Sequence, residues 1–320
     1  MALPAALTSR LKLPLVAAPM FRVSGPELVI AACRAGTIGA FPTANCRSLE
    51  ELDDWLTRFR SELSLQDAPF CPNLIIRHHA MPAQLELLVK HKVELVITSV
   101  GSPAAVVAPL HAVGCQVFAD VATLRHAHKA LEAGADGLVL LTAGAGGQTG
   151  WMNGFAFVRA VRRFFDGPVI LAGGMSDGQA LFAARALGAD LAYMGTRFIA
   201  TQESLASREY KQMLVESEMD DVLLSDAFTG LPANMLTASV VAAGLDPDNL
   251  PVGLGAEGAA HLFGAQGTEA RRWEQIWSAG HSVSGVASIS SVSQLVCTLR
   301  SEFEQAHEKA LFTGILEPPE

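Results

Sequence analysis

The chain has 320 residues, half of them hydrophobic and only 7% aromatic, enough to bury a large core in one domain or two. Its formal charge of −9 gives no electrostatic footprint for nucleic acid or for an anionic membrane surface, so an anionic ligand has to be held by local groups. Five scattered cysteines without a CxxC pair argue against a disulfide framework or a zinc site and for reduced thiols in the cytoplasm. The first residues, MALPAALTSRLKLP, are too short and too broken by Pro4 and Lys12 for a signal peptide. No run reaches the roughly 20 apolar residues of a membrane span.

Apolar runs bounded by glycine, proline or short polar residues recur at Leu15–Pro19, Thr37–Phe41, Phe70–Ile76, Glu94–Ser99, Gln116–Asp120, Gly137–Leu141, Val169–Ala172 and Leu191–Met194. Helical patterns lie between them, near Pro26–Ala35, Leu49–Leu63, Pro82–Lys90, Pro103–Ala112, Leu124–Ala133, Phe155–Phe164 and Gly178–Leu187. Eight strands alternating with helices over about 200 residues predict a (β/α)8 TIM barrel over residues 1–202, with a doubly wound open sheet as the structural alternative. After Gln202 the rhythm changes. Ser204–Ser217, Glu269–Trp277 and Val292–Leu311 read as helices and Gly253–Gly267 as a loose glycine-rich stretch, so residues 203–320 are expected to supply a closing helix and a mostly helical C-terminal cap.

Within this frame the segment from Pro168 to Phe198 stands out. Glycine pairs with a helix start, Gly173 and Gly174 before Ser176, and Gly195 precedes the hydroxyl of Thr196. Two glycine turns on consecutive strand ends leave backbone N–H groups open to a dianion, and the barrel reading places them after strands seven and eight, where such barrels hold phosphate.

The other strand ends form the rest of the rim: Ala18, Pro19 and Met20; Phe41 and Pro42; Asn73 to His79; Ser99 to Gly101; Asp120; and the loop TAGAGGQTGW, in which Gly147 and Gln148 lie on a glycine-rich backbone. The lining is apolar with a few amides and has no carboxylate cluster for a metal. It suits flavin mononucleotide, FMN, whose ring needs an apolar slot with polar contacts at one edge.

At these residues the chain resembles the nitronate monooxygenase family, formerly called 2-nitropropane dioxygenases, whose relatives include FMN-dependent enoyl thioester reductases and NADH:quinone reductases. The motifs are PLVAAPM, CPNL, ADVATLRHA, GAGGQTG, AGGMSDG and MGTRFIAT, in order along residues 11 to 202, with weaker echoes in FTGLPANML and WSAGHSV. The resemblance implies a TIM-type barrel with non-covalent FMN. It further implies Met20 and Asn73 at the flavin ring, Ser99 near the ribityl chain, and Gly173, Gly174, Gly195 and Thr196 at the phosphate.

Two positions depart from the family pattern. Gln148 stands where many members have a histidine base, and a glutamine binds an oxygen without taking a proton. Asp120 stands where some members have lysine; a carboxylate there disfavours an anionic reduced flavin, or simply caps the next helix. Among the histidines, His281 in WSAGHSV is the one that an exchange with Gln148 would make a base. His78 and His79 read as solvated loop, and His126 and His128 as structural. GLGAEG, Gly253–Gly258, fits GxGxxG but follows Pro251 instead of a strand, and reads as loop.

The leading expectation is oxidation of alkyl nitronates with O2 to a carbonyl compound and nitrite. The alternative is an NAD(P)H-linked reductase or dehydrogenase acting on an enoyl or acyl thioester or a quinone. A third class is a non-catalytic flavin- or phosphate-binding barrel, or an aldolase-type barrel without flavin. The partners expected are a small substrate and O2 or NAD(P)H, with no nucleic acid or membrane, in a monomer or homodimer.

Overall fold

The computed structural model describes residues 3–228, 230–250 and 276–312. GLGAEG, Trp273 and nearly all of the expected helix Glu269–Trp277 lie outside the described residues.

Eight parallel strands close into a barrel: β1 (Leu15–Ala17), β2 (Ile38–Pro42), β3 (Phe70–Ile75), β4 (Leu95–Ser99), β5 (Gln116–Val121), β6 (Gly137–Leu141), β8 (Val169–Ala172) and β9 (Leu191–Met194). Val16 pairs with Ile38 on one side and Tyr193 on the other, which seals the ring. The open-sheet alternative is thereby excluded. Alternate residues point inward. Val16, Ile38, Cys71, Ile97, Phe118, Val139 and Ile170 fill the barrel axis, while their sequence neighbours pack on the helices. Each fully buried leucine or phenylalanine contributes about 1.5–3 kcal/mol relative to exposure.

The helices begin where their sequences supply caps. Ser48, Thr123, Asn153, Asp177 and Ser207 each accept an N–H of the following turn through a side-chain oxygen. Gly36 and Gly188, both left-handed, end two of them.

The position around the barrel that follows β9 is filled from far along the chain. The last helix, Val292–Phe312, buries Val292, Leu295, Val296 and Leu299 against Leu28, Ala32 and Leu181 of the helices Pro26–Ala35 and Gly178–Leu187. The approach is close because of Gly178, where a Cβ would sit 2.2 Å from the Leu299 carbonyl oxygen.

Between β9 and that helix the chain builds the cap. It contains the helices Arg208–Glu216 and Thr237–Ala242 together with an antiparallel sheet absent from the sequence reading. In this sheet β11 (Ala233–Leu236) lies between β10 (Val222–Ser225) and β7 (Gly147–Gln148). Gly147 and Gln148, read from sequence as loop, are thus an edge strand tying the barrel rim to the cap. Among the described residues no helix is long and apolar enough to cross a membrane.

Candidate active site

The C-terminal ends of the barrel strands gather most of the residues singled out above. Asn73 and Ser99, inward-facing on β3 and β4, are joined by a hydrogen bond in which Ser99 Oγ donates to Asn73 Oδ1 at 3.1 Å. Asn73 Nδ2 donates to the Ile97 carbonyl at 3.4 Å, so the amide is buried and its orientation fixed. Thr43 Oγ1 adds a bond to the Asn73 carbonyl and another to Gln84 Oε1.

Just beyond Ser99 the backbone is strained. Val100 has φ +53°, a left-handed conformation that a β-branched residue rarely adopts and that costs about 1–3 kcal/mol. Val100→Gly should therefore raise the urea midpoint by an amount equivalent to roughly 1 kcal/mol, after the greater unfolded-state freedom of glycine is deducted. A lowered midpoint would mean that the valine side chain contributes more than the strain costs.

Ala18, Pro19 and Met20 follow β1. Asn45 shapes this turn. Its Nδ2 donates to the carbonyls of Met20 and Ser24, at 3.0 and 2.9 Å, and its Oδ1 accepts the Arg22 N–H. Met20 thereby lies across from Gly195, where a Cβ would be 3.5 Å from Sδ and 3.8 Å from the Ala18 Cβ.

The glycine turns are open as the sequence suggests. Gly173 (φ +108°) and Gly174 (φ +73°) adopt conformations that favour glycine. The N–H groups of Gly173, Gly174 and Gly195 have no hydrogen-bond acceptor among the described residues, and a Cβ at Gly174 would meet nothing within 4 Å. The helix start contributes less than expected. Glu302 accepts the Gly178 N–H at 2.8 Å and Asp177 that of Ala180 at 2.7 Å, so the first turn of helix Gly178–Leu187 is neutralised by two carboxylates. Thr196 Oγ1 is buried and accepts the Gly280 N–H at 3.0 Å, which leaves its own proton to donate.

The loop GAGGQTG is clamped by the cap. Asn234 Nδ2, from FTGLPANML, donates to the Ala145 carbonyl at 2.7 Å. The His281 N–H donates to the Gly144 carbonyl at 2.9 Å, and the His281 ring lies over Gly144, where a Cβ would be 2.6 Å from Nδ1. WSAGHSV is itself held by Trp277 stacking on Tyr210 (5.0 Å, 13°), whose hydroxyl donates to the Ser278 carbonyl. The segments carrying Gln148 and His281 are therefore packed together, although no direct bond joins the two side chains. Gln148 Nε2 is buried and has no partner among the described residues.

Asp120 ends the inward face of β5. Its Oδ1 is also buried without a partner, and burial pushes the carboxyl up from 3.8 to about 7. It caps nothing, since Thr123 accepts the His126 N–H. Tyr193, inward-facing on β9 and not singled out from sequence, feels the Asp120 charge; burial first, then that carboxylate, holds its phenol well above its ordinary value.

Two of the other histidines singled out from sequence have local partners. His78 Nδ1 accepts the Ala80 N–H in the turn before the helix Met81–Lys90, and burial lowers its pKa. His128 stacks on Phe164. Arg197 is engaged by the carbonyls of Ser176 and Gly285. Among the described residues no group of three or more histidine, cysteine and acidic side chains could hold a metal ion.

This arrangement coincides with a known family. The family model described as nitronate monooxygenase matches residues 77–302, more than half of the chain and spanning the glycine loop, both glycine turns and the cap. The chain belongs to the nitronate monooxygenase family.

Similar proteins include a (3aS,4S,5R,7aS)-5-hydroxy-7a-methyl-1-oxo-octahydro-1H-indene-4-carboxyl-CoA dehydrogenase of Rhodococcus jostii, 31% identical over 71% of this chain and 64% of that protein. The chain thus spans less than two thirds of the length of that relative. A nitronate monooxygenase of Paraburkholderia phytofirmans is 27% identical over 73% of this chain and 76% of its own.

Two solved structures share the family architecture nearly end to end. FabK from Thermotoga maritima superposes with a TM-score of 0.80, at 26% identity and 97% coverage of both chains. Nitroalkane oxidase from Streptomyces ansochromogenes superposes with a TM-score of 0.81, at 25% identity, covering 95% of this chain and all of that one.

Proposed function

We propose that the protein is an FMN-dependent oxidoreductase that oxidises alkyl nitronates with O2 to a carbonyl compound and nitrite. The observation that carries this reading is Gln148: a buried amide donor without a partner, on the edge strand between rim and cap, where a base would otherwise stand. A nitronate arrives already deprotonated. It needs an N–H for its oxygen and no group to remove its proton.

The strand ends fit FMN. Three N–H groups without acceptors and the open space before Gly174 suit a phosphate, with Thr196 as a hydroxyl donor. The linked Asn73–Ser99 pair offers an amide and a hydroxyl to the polar edge of the ring and the ribityl chain, while Ala18, Pro19 and Met20 provide an apolar wall. Gly147, left-handed, lets the loop approach closely. FMN, when bound, supplies the electron acceptor and the link to O2 or NAD(P)H. In this reading the described residues between 203 and 291 act as a substrate cap over the barrel, with His281 and Gly280 pinning the glycine loop beneath it.

A second reading, an NAD(P)H-linked enzyme acting on an enoyl or acyl thioester, is favoured by the 31% identity to a carboxyl-CoA dehydrogenase. Gln148 would then hold the thioester carbonyl.

The deciding experiment is an absorbance spectrum of the purified protein, followed by anaerobic addition of propionate 3-nitronate and, separately, of NADH and NADPH. Flavin bands that bleach with the nitronate, with nitrite formed on readmitting air, are the expected result. Bleaching by pyridine nucleotide alone selects the second reading, and no flavin bands even after incubation with FMN sink both. In the same assay Gly174→Ala should retain the fold but bind FMN about tenfold or more weakly. Its methyl would fill the open space at the turn, in a left-handed conformation costing about 1 kcal/mol.

A further inference from the structure

Asp120 sits at the mouth of the barrel with its Oδ1 buried and without a partner among the described residues, facing inward in the same alternation as Phe118. The titratable groups that feel its charge are Cys71 on β3 and Tyr193 on β9. Neither is cationic, and burial raises the pKa of both. Its neighbours β4 and β6 present Ser99 and Val139. Among the described residues no positive charge offsets a carboxylate here; burial accounts for its raised affinity for a proton.

We propose that Asp120 works in its protonated form, as a hydrogen-bond donor to an anionic oxygen of the substrate held at the barrel mouth, and that it sets the pH range in which an organic anion binds. The inference deepens the functional reading above and rests on its placement of the substrate oxygen at Gln148. A neutral carboxyl brings an O–H donor to the site, whereas the ionised form brings only acceptors and a repelling charge. Among the described residues Gln148 Nε2 is the other buried side-chain donor left without a partner at the rim. Two such donors call for a ligand rich in acceptors. A small delocalised anion of the carboxylate or nitronate type meets that demand without a lysine or arginine, provided that Asp120 keeps its proton.

The test uses benzoate, a planar delocalised anion that is not a redox substrate, titrated calorimetrically into the purified protein from pH 5.5 to pH 8.5. Affinity should be level at low pH and fall by about tenfold per pH unit above neutrality, because binding then requires uptake of a proton. In Asp120→Asn the affinity should not change with pH. An infrared pH titration gives a readout independent of any ligand. A protonated-carboxyl band should disappear near neutral pH in the parent protein and be absent from Asp120→Asn.

A pH-independent benzoate affinity in the parent, the same slope in the variant, no benzoate binding at any pH, or no such carboxyl band would each overturn the proposal. Failure of the nitronate assay, with the benzoate slope and the infrared band intact, would instead reject only the proposed reaction.

Discussion

Asp120→Asn is expected to be more stable than the parent protein at pH 8, in the absence of ligand, and almost equal to it near pH 4. Burial raises the Asp120 pKa from 3.8 in the unfolded chain to about 7 in the barrel. Between those values the folded state binds the proton and the unfolded state does not, so stability falls as pH rises through that window and levels off above 7. Each pH unit corresponds to about 1.4 kcal/mol, which makes the full penalty roughly 4 kcal/mol at most, shrinking to under ~1 kcal/mol near pH 4. Asparagine keeps the shape of the side chain and carries no charge, so it escapes the penalty. Urea midpoints at pH 4, 6 and 8 measure the effect. A variant less stable than the parent at pH 8 would show that the carboxylate has a compensating partner.

A residue that destabilises its own apoprotein above neutral pH and caps no helix is best explained by what it does when the site is filled. The strain at Val100 points the same way. Val100 follows Ser99 directly, so two costly features, an uncompensated carboxyl and a left-handed valine, lie on adjacent strand ends at the rim.

The barrel was legible because each strand is a short apolar run closed by glycine, proline or a polar residue, and because the caps of the intervening helices are local. Ser48, Thr123 and Asp177 bond within three residues of themselves. The rim was legible for the same reason: it is the set of residues at which the runs end. What escaped the sequence depends on partners far away in the chain. A two-residue strand such as Gly147–Gln148 has no periodicity, and only pairing with Ala233 and Asn234 makes it one. Asn45 and Asn234 look like ordinary loop amides until tertiary structure brings Met20 and Ala145 to them. The helix start at Gly178 reads as an anion site, yet Glu302, 124 residues on, already occupies it. Tyr193 lies inside an apolar run, where aromatic residues ordinarily are packing, and only strand register sets it facing Asp120.

Gly280→Ala should have a large effect for a single methyl group. Gly280 has φ −91° and ψ 172°, ordinary extended backbone, so alanine brings no conformational strain and the effect is purely one of space. A Cβ there would be 2.5 Å from the Gly144 carbonyl oxygen and 2.9 Å from the Gly146 nitrogen, and both are backbone atoms that cannot turn aside. From the other side, a Cβ at Gly146 would sit 2.7 Å from the Gly280 nitrogen. The two backbones touch because each has a glycine at the contact. A methyl wedge must stretch the Gly280 N–H to Thr196 Oγ1 and His281 N–H to Gly144 bonds, both of which pin the loop leading into Gln148. Overpacking of this kind costs about 1–3 kcal/mol, to be read from urea midpoints. Gly114→Ala is the control: φ is +80° and nothing lies within 4 Å of its Cβ, so it pays only the left-handed penalty of about 1 kcal/mol. Because the wedge acts on the loop that positions the Gln148 donor, Gly280→Ala should also weaken benzoate binding at pH 6, which Gly114→Ala leaves unchanged. A Gly280→Ala protein with the parent's midpoint and the parent's affinity would mean that the cap and the glycine loop separate in solution and that Gln148 is not held between them.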